Sequence, residues 1–144
     1  MLLGSFTLCQ AYLVGALASL YEPEAVFQAT FATTFSTVGL SYYAWTTKRD
    51  FTSFRGYMTV FLSALLMTFI SLFFFGTGVD IALLSFAAVL IFGSYIVYDT
   101  QLILGNKTYE INDEDYVIGA LVLYVDIVVL FVRILKIIGK KKSD

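Results

Sequence analysis

The chain has 144 residues, 59% of them hydrophobic and 14% charged, with a formal net charge of −2 and a mean hydropathy of +0.83. Soluble domains carry about 25% charged residues, so this is the composition of an integral membrane protein, and the length makes a single domain over residues 1–144. No histidine, a single cysteine (Cys9) and no basic excess exclude histidine general bases, zinc centres, disulfides within the chain and nucleic-acid partners.

Five apolar stretches predict an all-α membrane bundle. Each is near the ~20 residues a helix needs to cross about 30 Å of hydrocarbon, and none alternates as barrel strands do. The first, Leu2–Leu20, opens at Met1 with no basic n-region or cleavage site, so it does not read as a signal peptide. Its small residues Ala11, Gly15 and Ser19 either admit a neighbouring helix or recur by chance in an Ala- and Gly-rich segment. Tyr21-Glu22-Pro23-Glu24 breaks the chain, with Pro23 placed to start the second helix, Ala25–Trp45. The polar run Thr46-Thr47-Lys48-Arg49-Asp50 precedes the third, Tyr57–Phe75, and Gly76-Thr77-Gly78 separates it from the fourth, Val79–Leu104. Gly105-Asn106-Lys107 stops the fourth helix, and Asn112-Asp113-Glu114-Asp115 opens the fifth, Tyr116–Ile138, with Asn112 as N-cap and acids in the first turn, before a basic tail at 139–144. Connectors this short predict sequential helices as antiparallel neighbours.

Charge placement produces a topological conflict. Lys48, Arg49 and Arg55 put the second connector in the cytoplasm, yet Lys136, Lys140, Lys141 and Lys142 make the tail the most basic segment, and three full crossings separate the two. Either early helices overrule late charges, or the last segment is re-entrant rather than spanning. The expectation is that both basic places are cytoplasmic and that Tyr116–Ile138 bends back at Asp126, near Gly119, where water would satisfy the broken helix.

Two carboxylates stand out chemically. Asp99 follows 18 residues without a charge, Ile81 to Tyr98, and Asp126 lies at least ten residues from either end of the fifth stretch. An Asp at a helix centre costs roughly 2.5–3.5 kcal/mol on insertion scales and needs a partner, water or a proton. Asp99, about 7–8 Å from the end of its run, also fits a solvated interfacial carboxylate, and either residue fits a structural hydrogen bond to Thr or Tyr. If the two meet, both cannot ionise easily and should share one proton. Deprotonated, they would offer oxygen ligands to a hard cation such as Ca²⁺; protonated, they would latch two helices. From the hairpin, Asp126 sits about 9 Å deeper than Asp99, so a stagger or a longer fourth helix is needed. Arg133 is seven residues from Asp126, too far for a pair on one helix face, and is expected to snorkel to lipid head groups with Lys136 and Lys140. The 14 Phe and 10 Tyr fit packing and interfacial belts.

Tyr98-Asp99-Thr100-Gln101, the acidic start before Tyr116, and Leu123-Tyr124-Val125-Asp126-Ile127 together resemble the C-terminal signature of the transmembrane BAX inhibitor motif family (Bax inhibitor, Lifeguard and Golgi anti-apoptotic proteins). Phe6-Thr7-Leu8-Cys9-Gln10-Ala11-Tyr12-Leu13-Val14-Gly15 and Thr47-Lys48-Arg49-Asp50-Phe51-Thr52 extend the resemblance over essentially the whole chain. It implies a protein of the endoplasmic reticulum, Golgi or plasma membrane that leaks Ca²⁺ and restrains cell death alongside other membrane proteins of that control. The family's pH-sensing aspartates carry over onto Asp99 and Asp126, with Ca²⁺ as a transient, permeant ligand and no cofactor. It also implies seven helices with the last one central, so this chain would begin at the third, lacking a basic neighbour of the aspartate pair. Gln10 stands where relatives often carry Glu. Two alternatives remain: a non-conducting scaffold for partner proteins, and an intramembrane aspartyl protease. The protease reading lacks the Gly-x-Gly-Asp pattern at Asp126 and a Pro-containing loop near either aspartate, since Pro23 is the sole proline.

Overall fold

The computed structural model describes residues 1–76, 80–105 and 107–143. Its helices are α1 (Leu2–Ala18), α2 (Pro23–Thr46), α3 (Arg55–Phe75), α4 (Ile81–Leu104) and α5 (Tyr116–Ile138), with short 3₁₀ turns at Phe51–Phe54 and Asp113–Asp115. Pro23 occupies the first turn of α2, where its missing N–H costs nothing. Gly76 and Gly105 end α3 and α4 with φ of 54° and 68°, the left-handed cap that a side chain resists. Thr77, Gly78, Val79 and Asn106, which the sequence assigns to connectors or a helix start, lie outside the described residues. Asn112 precedes α5, but not as a side-chain cap: its carbonyl accepts the Asp115 N–H at 2.8 Å and its side chain bonds no amide of the turn.

Among the described residues, three runs, Phe51–Phe75, Ile81–Leu104 and Tyr116–Ile138, are long and apolar enough to cross a membrane. α1 has only 17 residues. α2 has the length, but Thr30, Thr33, Thr34, Ser36 and Thr37 dilute its apolar character. The outward surfaces carry large apolar side chains such as Phe27, Phe73, Phe74 and Phe75, as lipid-facing surfaces must, and the chain is an integral membrane protein.

Helix neighbours only partly follow sequence order. α4 packs on α5, α2 and α3, while α1 rests on α5. α4 holds nine buried residues against four for α5, so within this chain the fourth helix, not the last, is the most enclosed. Ala11, Gly15 and Ser19 are exposed and nothing lies within 4 Å of a Cβ built on Gly15, so that stripe receives no helix.

The expected break in the last helix is absent. α5 runs as 23 unbroken residues through Asp126, about 35 Å. The tail joins the first connector: the Glu22 N–H donates to the Lys140 carbonyl and the Lys142 N–H to the Leu20 carbonyl, both at 2.9 Å. The second connector instead joins the α4–α5 hairpin, where the Lys107 amine donates to the Thr47 carbonyl at 2.9 Å. The two basic places therefore sit at opposite ends of α2. Backbone pairing fixed their separation; counting cations could not.

Candidate functional site

Asp99 and Asp126 are 5% and 4% exposed, and their carboxyl groups approach each other across the α4–α5 contact. The depth mismatch closes by stagger. Ile111 donates its N–H to the Leu102 carbonyl at 3.0 Å, folding the loop back along α4 before α5 begins. A Cβ on Gly119 would meet Ile103 at 3.2 Å and Ile111 at 3.3 Å, so Gly119 is level with Ile103. From that contact Asp126 is seven residues on and Asp99 four back, a residual of about 4–5 Å at 1.5 Å per residue, within reach of two side chains. The fourth helix ends at Leu104, where the sequence ends it, so no extension is involved.

The pair is sparsely supported. The Oδ2 atom of each aspartate finds no hydrogen-bond partner among the described residues, nor do the buried hydroxyls of Thr100 and Thr37. Unpaired buried polar atoms mark a place built for more than packing. Tyr95, one turn before Asp99, donates its hydroxyl to the Met58 carbonyl at 2.9 Å. Among the described residues no cluster of three or more Asp, Glu or Cys side chains is placed to hold a metal ion. Two carboxylates fall short of the six to eight oxygens that Ca²⁺ prefers.

Beyond the pair on α4 lies a polar plate that the sequence reading missed. Gln101, fully buried, donates its amide to the Arg49 carbonyl at 3.0 Å and the Ala44 carbonyl at 3.3 Å, and accepts the Phe51 N–H at 2.8 Å. Asp50 accepts N–H groups from Thr52 at 3.0 Å and Thr108 at 3.2 Å, with the Ser53 hydroxyl at 3.2 Å. Tyr109 donates its N–H to the Thr52 hydroxyl at 3.2 Å. Gln101 thus binds the second connector to the helix that carries Asp99, and Asp50 binds it to the loop that follows. The Asp-x-Thr pattern at Asp50 signals a local cap; nothing local signals the partner more than fifty residues away.

Arg133 does not simply reach for solvent. Its guanidinium lies 4.3 Å from the centre of the Phe69 ring, and with Lys136 it faces a cavity between α3, α4 and α5. Lys140, by contrast, is exposed, with its amine 4.0 Å from the Glu22 carboxylate.

The family model described as inhibitor of apoptosis-promoting Bax1 matches residues 1–143. The chain is 34% identical to protein lifeguard 3 of Homo sapiens over 97% of its own length and 46% of that protein. It is 33% identical to protein lifeguard 3 of Mus musculus over 97% of its length and 47% of that protein. With protein lifeguard 4 of Mus musculus it shares 37% identity over 94% of its length and 55% of that protein. The chain thus spans about half the length of the curated relatives it matches.

Proposed function

The chain belongs to the family of inhibitors of apoptosis-promoting Bax1, and on that premise we propose that it is a pH-sensitive calcium leak of an internal membrane, endoplasmic reticulum or Golgi, that restrains cell death. The observation that carries this reading is the buried contact between Asp99 and Asp126 on two hairpin-linked helices. With one shared proton, one carboxyl donates to the other and ties α4 to α5. When that proton leaves, two like charges face each other in a low-dielectric setting and the helices are driven apart. The freed oxygens then attract a hard cation. Too few to retain Ca²⁺, they suit passage rather than storage. Leak therefore rises with pH.

Calcium flux into proteoliposomes across a pH series tests this. Asp126→Asn should change the flux strongly, and Asp99→Asn should flatten its pH response, because an amide neither ionises nor shares the proton. Parental flux from both variants at every pH would end the gate reading. A parental protein that passes no Ca²⁺ at any pH would favour the scaffold.

A further inference from the structure

The end of the bundle away from the Gln101 plate holds a cavity of about 380 Å³ between the last turns of α3, the first turns of α4 and the last turns of α5. Arg133 and Lys136, one helical turn apart on α5, both line it and both are half-buried. Ser85 of α4 lines it as well, with its side chain 1% exposed and its hydroxyl unpartnered among the described residues. The Arg133 Nε is buried and unpartnered in the same sense. No carboxylate is among the described residues that line the cavity. The nearby Asp80 is engaged in capping α4, taking the Ala82 N–H on its side chain at 2.9 Å and the Leu84 N–H on its carbonyl at 3.0 Å. The Ala82 and Leu84 amides of the first turn of α4 are therefore taken, and the side chains of Arg133, Lys136 and Ser85 bring donors to the cavity.

Two cations and an idle hydroxyl, drawn partly out of water with no counter-charge among the described lining residues, are costly unless an anion completes them. A planar guanidinium whose face rests on an aromatic ring keeps its edge free for bidentate contact with a phosphate. The rest of the wall is apolar: Phe69 and Leu72 are half-buried and Ile81 at the rim is 68% exposed. The cavity sits near the ends of three helices and on the side of the lysine-rich tail.

We propose that this cavity binds one phosphate-class anion, the head group of an anionic phospholipid, with Arg133 and Lys136 on the phosphate, Ser85 as a hydroxyl donor, and the acyl chain leaving past Phe69, Leu72 and Ile81. The site lies apart from the aspartate pair and does not depend on the leak reading.

Native mass spectrometry of the full chain from mixed micelles of phosphatidylglycerol and phosphatidylcholine reads occupancy directly. One phosphatidylglycerol should be retained in preference to phosphatidylcholine. Arg133→Gln with Lys136→Gln should lower that occupancy at least about tenfold, the loss of roughly one charge-assisted hydrogen bond. Lys140→Gln with Lys142→Gln, which removes equal charge from the exposed tail, should leave it unchanged. If the double Gln variant does not fold, Arg133→Lys and Ser85→Ala supply the reading, each with a smaller loss. A parallel thermal titration with inorganic phosphate separates the sources. Protection by millimolar phosphate that Arg133→Gln abolishes keeps the site and assigns it a free anion. Lipid retention equal in the cavity variants and in the tail variant, or no retention of either anion, overturns the proposal.

Discussion

The carboxylate of Asp50 collects the Thr52 and Thr108 amides and the hydroxyls of Thr52 and Ser53. These donors, those of Thr108 foremost and then Thr52, hold it well below the ordinary carboxylate value of 3.8. A depressed folded-state value means that the unfolded chain binds the proton more readily. Stability from Asp50 is therefore complete above about pH 4 and falls away as the pH drops below it. Asp50→Asn should melt lower than the parent at pH 7 in detergent, with the gap narrowing as the solution is acidified from about pH 4 downward. A constant gap across pH would show that the negative charge does not matter. At this scale the sequence was legible where chemistry is intrinsically costly: Asp99 and Asp126 stand out because an isolated membrane carboxylate demands a partner. Gln101 and Asp50 were quoted within motifs but given no role. Their tertiary partners lie fifty or more residues away, and no local pattern encodes that pairing.

Helix limits were largely readable because Pro23, Gly76 and Gly105 punctuate long apolar runs. α1 stops at Ala18 rather than Leu20, since Ser19 to Tyr21 already turn toward α2, with the Leu20 and Tyr21 N–H groups bonding carbonyls three residues back at 3.1 and 3.0 Å. What the runs could not state was register. The stagger that unites the two aspartates depends on a loop folding back through Ile111 and on the absence of a side chain at Gly119. Gly119→Val should push α5 away from Ile103 and Ile111, lowering thermal stability by about 1–3 kcal/mol, the usual cost of overfilling a packed contact. It should also shift the pH response of the leak, because it loosens the pair without touching either carboxyl. Gly119→Ala asks the neighbours to give only a few tenths of an ångström and regains helix propensity, so it should lie close to the parent. If Gly119→Val keeps both the melting point and the pH profile of the parent, the close approach is not what sets the register.

Orientation belongs to the whole molecule, and here cation counting and packing disagree. The positive-inside rule treats each connector separately, whereas the bundle ties connectors together in pairs. The first connector holds the tail through the Glu22–Lys140 and Lys142–Leu20 hydrogen bonds and the Tyr21–Lys141 bridge. The second holds the α4–α5 hairpin through Gln101, Asp50 and Lys107. Between these plates α2 runs for 24 residues, about 36 Å, more than the thickness of the hydrocarbon core. Lys48 and Lys141 should consequently lie on opposite faces of the membrane. Single cysteines in place of each, in a Cys9→Ser background, should be labelled by an impermeant reagent from opposite sides of sealed vesicles. Labelling of both from one side would require α5 to turn back, breaking the helix that carries Asp126 and the pairing of the tail with Leu20 and Glu22. Opposite labelling would instead mean that one cluster of cations faces the disfavoured side. The tail is the one equipped for that, since Glu22 stands 4.0 Å from Lys140 and a headgroup phosphate between Arg133 and Lys136 would offset one charge more.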